Sequence, residues 1–144
     1  MLGAMFISGG VDALRNPESK APKAEAVAPA LAEPLGLPED PETLVQINGA
    51  VMVTGGVLLS LGRAPRLAAT ALAASLVPTT IAGHRFWEID DPQARAGQRI
   101  HFFKNVAMLG GLILAAVDTE GRPSLGWRAR RAARRARAAL PIGD

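Results

Sequence analysis

The sequence predicts an all-α membrane protein: a bundle of four transmembrane helices with a long Pro-rich extracytoplasmic loop and a basic amphipathic C-terminal helix. Three features point there. The 144 residues are 49% hydrophobic and 20% charged, averages that suit a soluble protein, yet the charges crowd into short stretches and leave runs such as 44–61 and 67–83 with none. A chain this short cannot supply enough polar helix faces to enclose several nearly charge-free helices, so lipid must cover them. The basic residues are equally uneven: residues 122–144 hold seven Arg against one Asp, net +6, whereas residues 1–121 are net −3. The organisation that follows is a membrane domain over 1–121, with helices at about 1–14, 44–61, 67–83 and 100–117, and an Arg/Ala-rich tail over 122–144.

Residues 1–14 are apolar except for Asp12. At 1.5 Å per residue they reach about 21 Å, short of a hydrocarbon core of roughly 30 Å. No basic segment precedes them and no small-residue cleavage site follows, which argues against a signal peptide. They read as a first transmembrane helix, cut short if the natural start lies upstream of Met1. Residues 15–43 contain six Pro, three bases and six acids, with little hydrophobic periodicity. Pro at that density predicts an extended extramembrane loop.

Residues 44–61 carry no charge, and Glu39, Asp40 and Glu42 stand just before them, where carboxylates suit a helix N-terminus. Gly62 marks the stop, and Arg63 and Arg66 flank Pro65 in a tight turn. Residues 67–83 form the next span. Pro78 lies inside it, and the hydroxyls of Thr79 and Thr80 stand ready for freed carbonyls. Residues 84–99 read as a polar loop opened by Phe86 and Trp87, an interfacial aromatic pair. Residues 100–117 form the fourth span, interrupted by Lys104 and Asn105.

Arg and Lys density sets the orientation. The five-residue turn at 62–66 holds two Arg and the tail holds seven. With four spans both lie on one side, and the positive-inside rule makes that side cytoplasmic. Both termini are therefore expected in the cytoplasm, with the acidic Pro-rich loop outside.

In this topology the polar residues of the spans gather at the outer end: Asp12 in helix one, Gln46 and Asn48 in helix two, Thr79 and Thr80 in helix three, and His101, Lys104 and Asn105 in helix four. Intramembrane polar groups are costly, so they face the bundle interior or a wet cavity. His101, Lys104 and Asn105 are spaced i, i+3, i+4 on one helix face. Asp12, Asn48, Thr79, His101, Lys104 and Asn105 are thus the candidate ligand-binding residues of an outward-opening pocket suited to an anion or a quinone headgroup. The competing reading is structural: Lys104–Asp12 and Asn48–Asn105 would simply hold helices together. His84 and His101 are the only two histidines, and no carboxylate stands at metal-ligand spacing from them, so no metal site is expected.

With no Cys, thiol chemistry, iron–sulfur ligation and Cys-type zinc sites are excluded. Gly49, Gly55–Gly56 and Gly110–Gly111 lie in apolar spans without a preceding strand, so they are not nucleotide loops. Small-residue ridges at Ala107, Gly111 and Ala115, and at Ala71 and Ser75, are expected to pack helices closely. In the tail, Ala129, Ala132, Ala133, Ala136, Ala139 and Leu140 share one side of a helical wheel. Arg128, Arg130, Arg131, Arg134, Arg135 and Arg137 occupy the other. Such a cationic helix is expected to lie on the anionic cytoplasmic membrane surface, each Arg contributing roughly 1 kcal/mol. Aromatics make up 4% of the chain and Tyr is absent, so no nucleic-acid partner is expected.

Several stretches resemble the DoxX family of small four-helix bacterial membrane proteins, especially its actinobacterial type. They are Phe-Ile-Ser-Gly-Gly-Val-Asp-Ala-Leu-Arg-Asn-Pro at 6–17, Pro-Glu-Thr-Leu-Val-Gln-Ile-Asn-Gly at 41–49, Pro-Thr-Thr-Ile-Ala-Gly-His-Arg-Phe-Trp-Glu at 78–88 and Ile-His-Phe-Phe-Lys-Asn at 100–105. The resemblance implies a multi-pass protein of the bacterial plasma membrane, similar to the membrane subunit of thiosulfate:quinone oxidoreductase. It also implies an accessory subunit of a membrane redox complex with a protein partner, rather than an enzyme on its own. Electron transfer would need a bound quinone or a partner, because the chain carries no redox group of its own. A non-catalytic membrane adaptor and a small anion transporter are the alternatives.

Overall fold

Within residues 1–118, every α-helix after the first has proline at its first or second position. A Pro in the first helical turn gives up an N–H that would be unsatisfied there anyway, and its φ is already helical. The computed structural model describes residues 1–118, 127, 130–132 and 134–135. Its helices are α1 (Leu2–Arg15), α2 (Ala21–Glu25), α3 (Ala28–Leu35), α4 (Pro41–Ser60), α5 (Pro65–Gly83) and α6 (Pro92–Val117), with a 3-10 turn at Phe86–Glu88. Among the described residues there is no strand.

The same device corrects two expectations. The Pro-rich segment is not simply extended: Pro22 and Pro29 sit in the first turns of α2 and α3, and α3 ends on Gly36 at φ 61°. The polar stretch before the last span is not a loop throughout either. Asp91 caps α6 by accepting from the Ala94 N–H at 2.6 Å, so the helix starts at Pro92 and absorbs residues 93–99. Asp40 caps α4 in the same way, accepting from the Thr43 N–H at 2.8 Å and the Thr43 hydroxyl at 2.6 Å. Between α4 and α5 the chain reverses through Gly62 at φ 64° and Ala64 at φ 47°.

Among the described residues, three segments have the length and apolarity to cross a membrane: α4, α5 with the turn after it (Pro65–Glu88), and α6. At 14 residues, α1 falls short of that length. Consecutive long helices are antiparallel. α1 packs along α4, α4 against α5, and α5 against α6. The central buried cluster takes Phe6 from α1, Ala69, Leu72 and Leu76 from α5, and Leu112 from α6, with Met52 and Leu59 of α4 packed against it; α4 adds buried Leu44 and Val45 outside that cluster.

Glycine allows the closest of these approaches. Gly3 and Gly10 face Gly56 and Gly49, and a Cβ at Gly10 would stand 2.7 Å from the Gly49 carbonyl oxygen. Gly55, on the other flank of α4, receives Leu72, and Gly111 of α6 receives Leu2. The expected ridge on α6 is only partly used. Ala107 is exposed, and a Cβ at Gly110 would meet nothing within 4 Å.

One end of the bundle carries the connection from α1 to α4 and the Phe86–Glu88 turn; we call it the loop end, and the opposite one, at Gly62–Ala64, the turn end. Of the Arg-rich tail, Trp127, Arg130, Arg131, Ala132, Arg134 and Arg135 are helical and exposed, and Arg131 lies over the Trp127 ring at 5.0 Å. Arg128, Arg137 and the rest of the expected amphipathic helix lie outside the described residues.

Two outcomes follow from this packing. Gly10→Val should destabilise the bundle by at least about 2 kcal/mol, because overpacking against backbone cannot relax. Gly110→Ala should be neutral or gain up to about 1 kcal/mol from helix propensity. Unfolding of both variants in detergent by circular dichroism checks the pair. The second concerns Asp40, whose carboxyl is held below its usual range by the Thr43 hydroxyl and N–H. A depressed carboxylate stabilises the cap above its unfolded value and loses that effect as pH falls through the folded one. The Thr43 amide resonance should therefore titrate with a midpoint below that of an ordinary Asp.

Candidate functional site

The polar side chains inside the bundle are arranged around α5. Ser75 donates to Asn48 Oδ1 of α4 at 2.6 Å, and Asn105 Nδ2 of α6 donates to Thr80 Oγ1 at 3.0 Å. Ser75, Thr80 and Asn105 are buried, and Asn48 is half-buried. Asn48 Nδ2 also reaches Met52 Sδ at 3.4 Å, and Thr80 passes its own proton to the Leu76 carbonyl at 2.7 Å. Thr79, exposed on the other side of α5, donates to the Ser75 and Leu76 carbonyls at 3.0 Å each. These hydroxyl bonds bracket Pro78, where the backbone ladder loses a donor.

α6 overshoots α5. Thr80 is three residues from the end of α5, whereas its partner Asn105 is thirteen from the start of α6, so α6 extends about ten residues, roughly 15 Å, beyond Gly83. The chain after α5 folds back along this overhang. His84 Nδ1 meets Gln98 Oε1 at 2.7 Å, and the His84 and His101 rings stack at 5.4 Å with 20° between planes. Phe86 and Trp87 pack edge-on to Phe102 at 5.4 and 5.9 Å. Arg95 Nε donates to the Ile89 carbonyl at 2.7 Å and closes the return.

The six sequence-derived candidates therefore separate. Asn48 and Asn105 point inward, but each bonds to α5 rather than to the other. His101 joins the return segment. Lys104 and Thr79 are exposed. Asp12 does not meet Lys104: it pairs with Lys20 and accepts from Asn16 Nδ2 at 3.0 Å, tying the start of the loop to the end of α1. A lysine eight residues along the chain closes a short loop, whereas Lys104 is on α6, a helix with which α1 has no extensive contact. Ser75 and Thr80 are the partners that a search for ionisable residues passes over. The signal available was their position: hydroxyls on a helix whose neighbours each carry an Asn.

Every buried side-chain nitrogen and oxygen among the described residues has a hydrogen-bond partner. The interior row consists of amides and hydroxyls, so it can donate and accept hydrogen bonds but offers no thiolate, carboxylate or imidazole for acid–base or nucleophilic work. Among the described residues no three His, Asp or Glu come together to hold a metal ion.

A family model described as DoxX matches residues 1–85, more than half of the chain. The matched part runs from α1 through α5 and ends before residues 100–105. No curated protein and no solved structure gives a significant match.

The Asn48–Ser75 bond sets a measurable expectation. Inter-helix side-chain hydrogen bonds in membrane bundles couple by about 0.6 kcal/mol, at most about 1.7. Asn48→Leu and Ser75→Ala should each destabilise the protein, and together by less than the sum, in a double-mutant cycle read by detergent unfolding. Lys104→Met combined with Asp12→Asn should instead be additive.

Proposed function

The chain belongs to the DoxX family, and from that premise we propose that it is an integral membrane subunit of a membrane redox complex, accessory rather than catalytic alone, that lodges a quinone headgroup or a sulfur oxyanion at the loop end of its bundle. The observation carrying this reading is the row of amides and hydroxyls at Asn48, Ser75, Thr80 and Asn105 inside a bundle whose buried residues are otherwise apolar. Quinone carbonyls and sulfur oxyanions both accept hydrogen bonds, and Ser, Thr and Asn supply donors that rotate or exchange partners without a change of charge. The chain has no Cys and no redox group of its own, so the electrons would come from a partner.

In the same reading α1 completes a four-span protein of the bacterial plasma membrane, with the turn end and the Arg-rich tail in the cytoplasm. Arg63 and Arg66 at the turn end support that orientation. The second reading, a non-catalytic adaptor anchoring a partner protein, is favoured by one feature: the interior polar groups already satisfy one another.

Protein purified in mild detergent and extracted with organic solvent distinguishes the two. The redox-subunit reading expects quinone in the organic phase, or a sulfur oxyanion in the aqueous phase, at near-stoichiometric amounts in the wild type and its loss in Asn48→Leu/Asn105→Leu. The adaptor reading expects neither ligand in either protein, and a soluble protein retained by both.

A further inference from the structure

Lys104 has no place in the interior row, and its surroundings suit a different ligand. Its ammonium makes no ion pair or hydrogen bond to any described residue. The neighbouring surface of α6 is apolar and outward-facing: Ile100 is 68% exposed, Phe103 57% and Val106 44%. A lysine on such a surface sits among lipid chains, where a bare charge is costly unless it reaches the headgroups.

The geometry provides that reach. Because Thr80 pairs with Asn105 across antiparallel helices, Gly83, the last residue of α5, stands level with about Phe102 on α6. The apolar run of α5 ends there, and the aromatic group of Phe86, Trp87 and Phe102 lies beside it, the level at which an interfacial belt forms. Lys104 is two residues deeper, about 3 Å. Side chains of an α-helix lean toward its N-terminus, and the N-terminus of α6 is at the loop end. The lysine stem therefore points back toward the headgroups, and snorkelling along its four methylenes brings the ammonium to the phosphate layer. No acid on α6 competes for it, since that helix contains no Asp or Glu.

We propose that Lys104 binds the phosphate of an anionic phospholipid in the leaflet at the loop end, with the acyl chains running inward against Phe103 and Val106. This site is distinct from the Arg-rich tail and from the interior row, and it does not depend on the redox reading. It makes the lipid an ordered ligand of α6 rather than general solvent.

Trp87, 53% exposed, is a reporter at the same level, and Trp127→Phe leaves it as the only Trp. In vesicles containing brominated lipids, quenching of Trp87 gives the relative binding constant of phosphatidylglycerol over phosphatidylcholine. The expected preference is about fivefold, falling to about one in K104Q and K104M and retained in K104R. Helicity by circular dichroism in the same vesicles verifies that each variant is folded, and the two neutral variants stand in for one another. A preference that survives both neutral substitutions overturns the proposal. So does its abolition by millimolar inorganic phosphate in the wild type, which would make Lys104 a site for a free anion instead of a lipid.

Discussion

The approach of α1 to α4 at backbone distance is the constraint on which the other contacts depend. Between helices in lipid there is no hydrophobic drive, because lipid tails are as apolar as Leu, so association rests on packing and on a few hydrogen bonds. α1 is 14 residues long and offers little surface. It compensates by proximity, with Gly3 and Gly10 against Gly56 and Gly49 in two antiparallel pairs. Both pairs are spaced seven residues apart, nearly two helical turns, so the same stripe returns to the interface. That seating carries Phe6 into the core, where it is 1% exposed, and brings Leu2 onto Gly111. Leu2 at Gly111, with Phe6 and Leu112 in one cluster, is where α1 meets α6.

Polar groups finish what packing begins, and they do so from α5. One bond goes to α4 and one to α6, so the helix that touches both neighbours also fixes their heights. The second bond determines that α6 projects past α5, and the projection in turn gives Phe86, Trp87 and His84 a surface to return along. The loop end is consequently the richer end chemically: amides and hydroxyls inside, stacked imidazoles and aromatics at the rim, and a lysine facing lipid.

Much of this was legible in the sequence because charge is excluded from lipid. Uncharged runs located α4, α5 and the second half of α6, and the Pro and Gly punctuation located the turn between the first two. What escaped was set by capping and by tertiary choice. A carboxylate followed by Pro, as at Asp40–Pro41 and Asp91–Pro92, starts a helix even when the next residues are polar, and composition alone read 92–99 as loop. The prolines of residues 15–43 looked like helix breakers, but in a first turn they are helix starters. At the site, spacing placed Asn48 and Asn105 at one end of the bundle and could not say which helix each would meet. Asp12 and Lys104 looked like natural partners because both are charges in apolar helices. Proximity along the chain gave Asp12 to Lys20 instead. Gly49 and Gly56 stood out in the sequence as glycines inside an apolar span, yet only the antiparallel register with Gly3 and Gly10 shows what they pack against.

The seating of α1 admits a direct measurement, because the chain has no cysteine of its own. Leu2→Cys combined with Gly111→Cys places two thiols where the Leu2 side chain meets α6, and Leu2→Cys combined with Ile100→Cys places them at opposite ends of the bundle. Under mild oxidation in native membranes, the first pair should form an intramolecular disulfide rapidly and the second should not. Equal cross-linking of both pairs, or none in the first while the protein remains helical, would contradict the seating of α1 on α4 and the contact with α6 that follows from it.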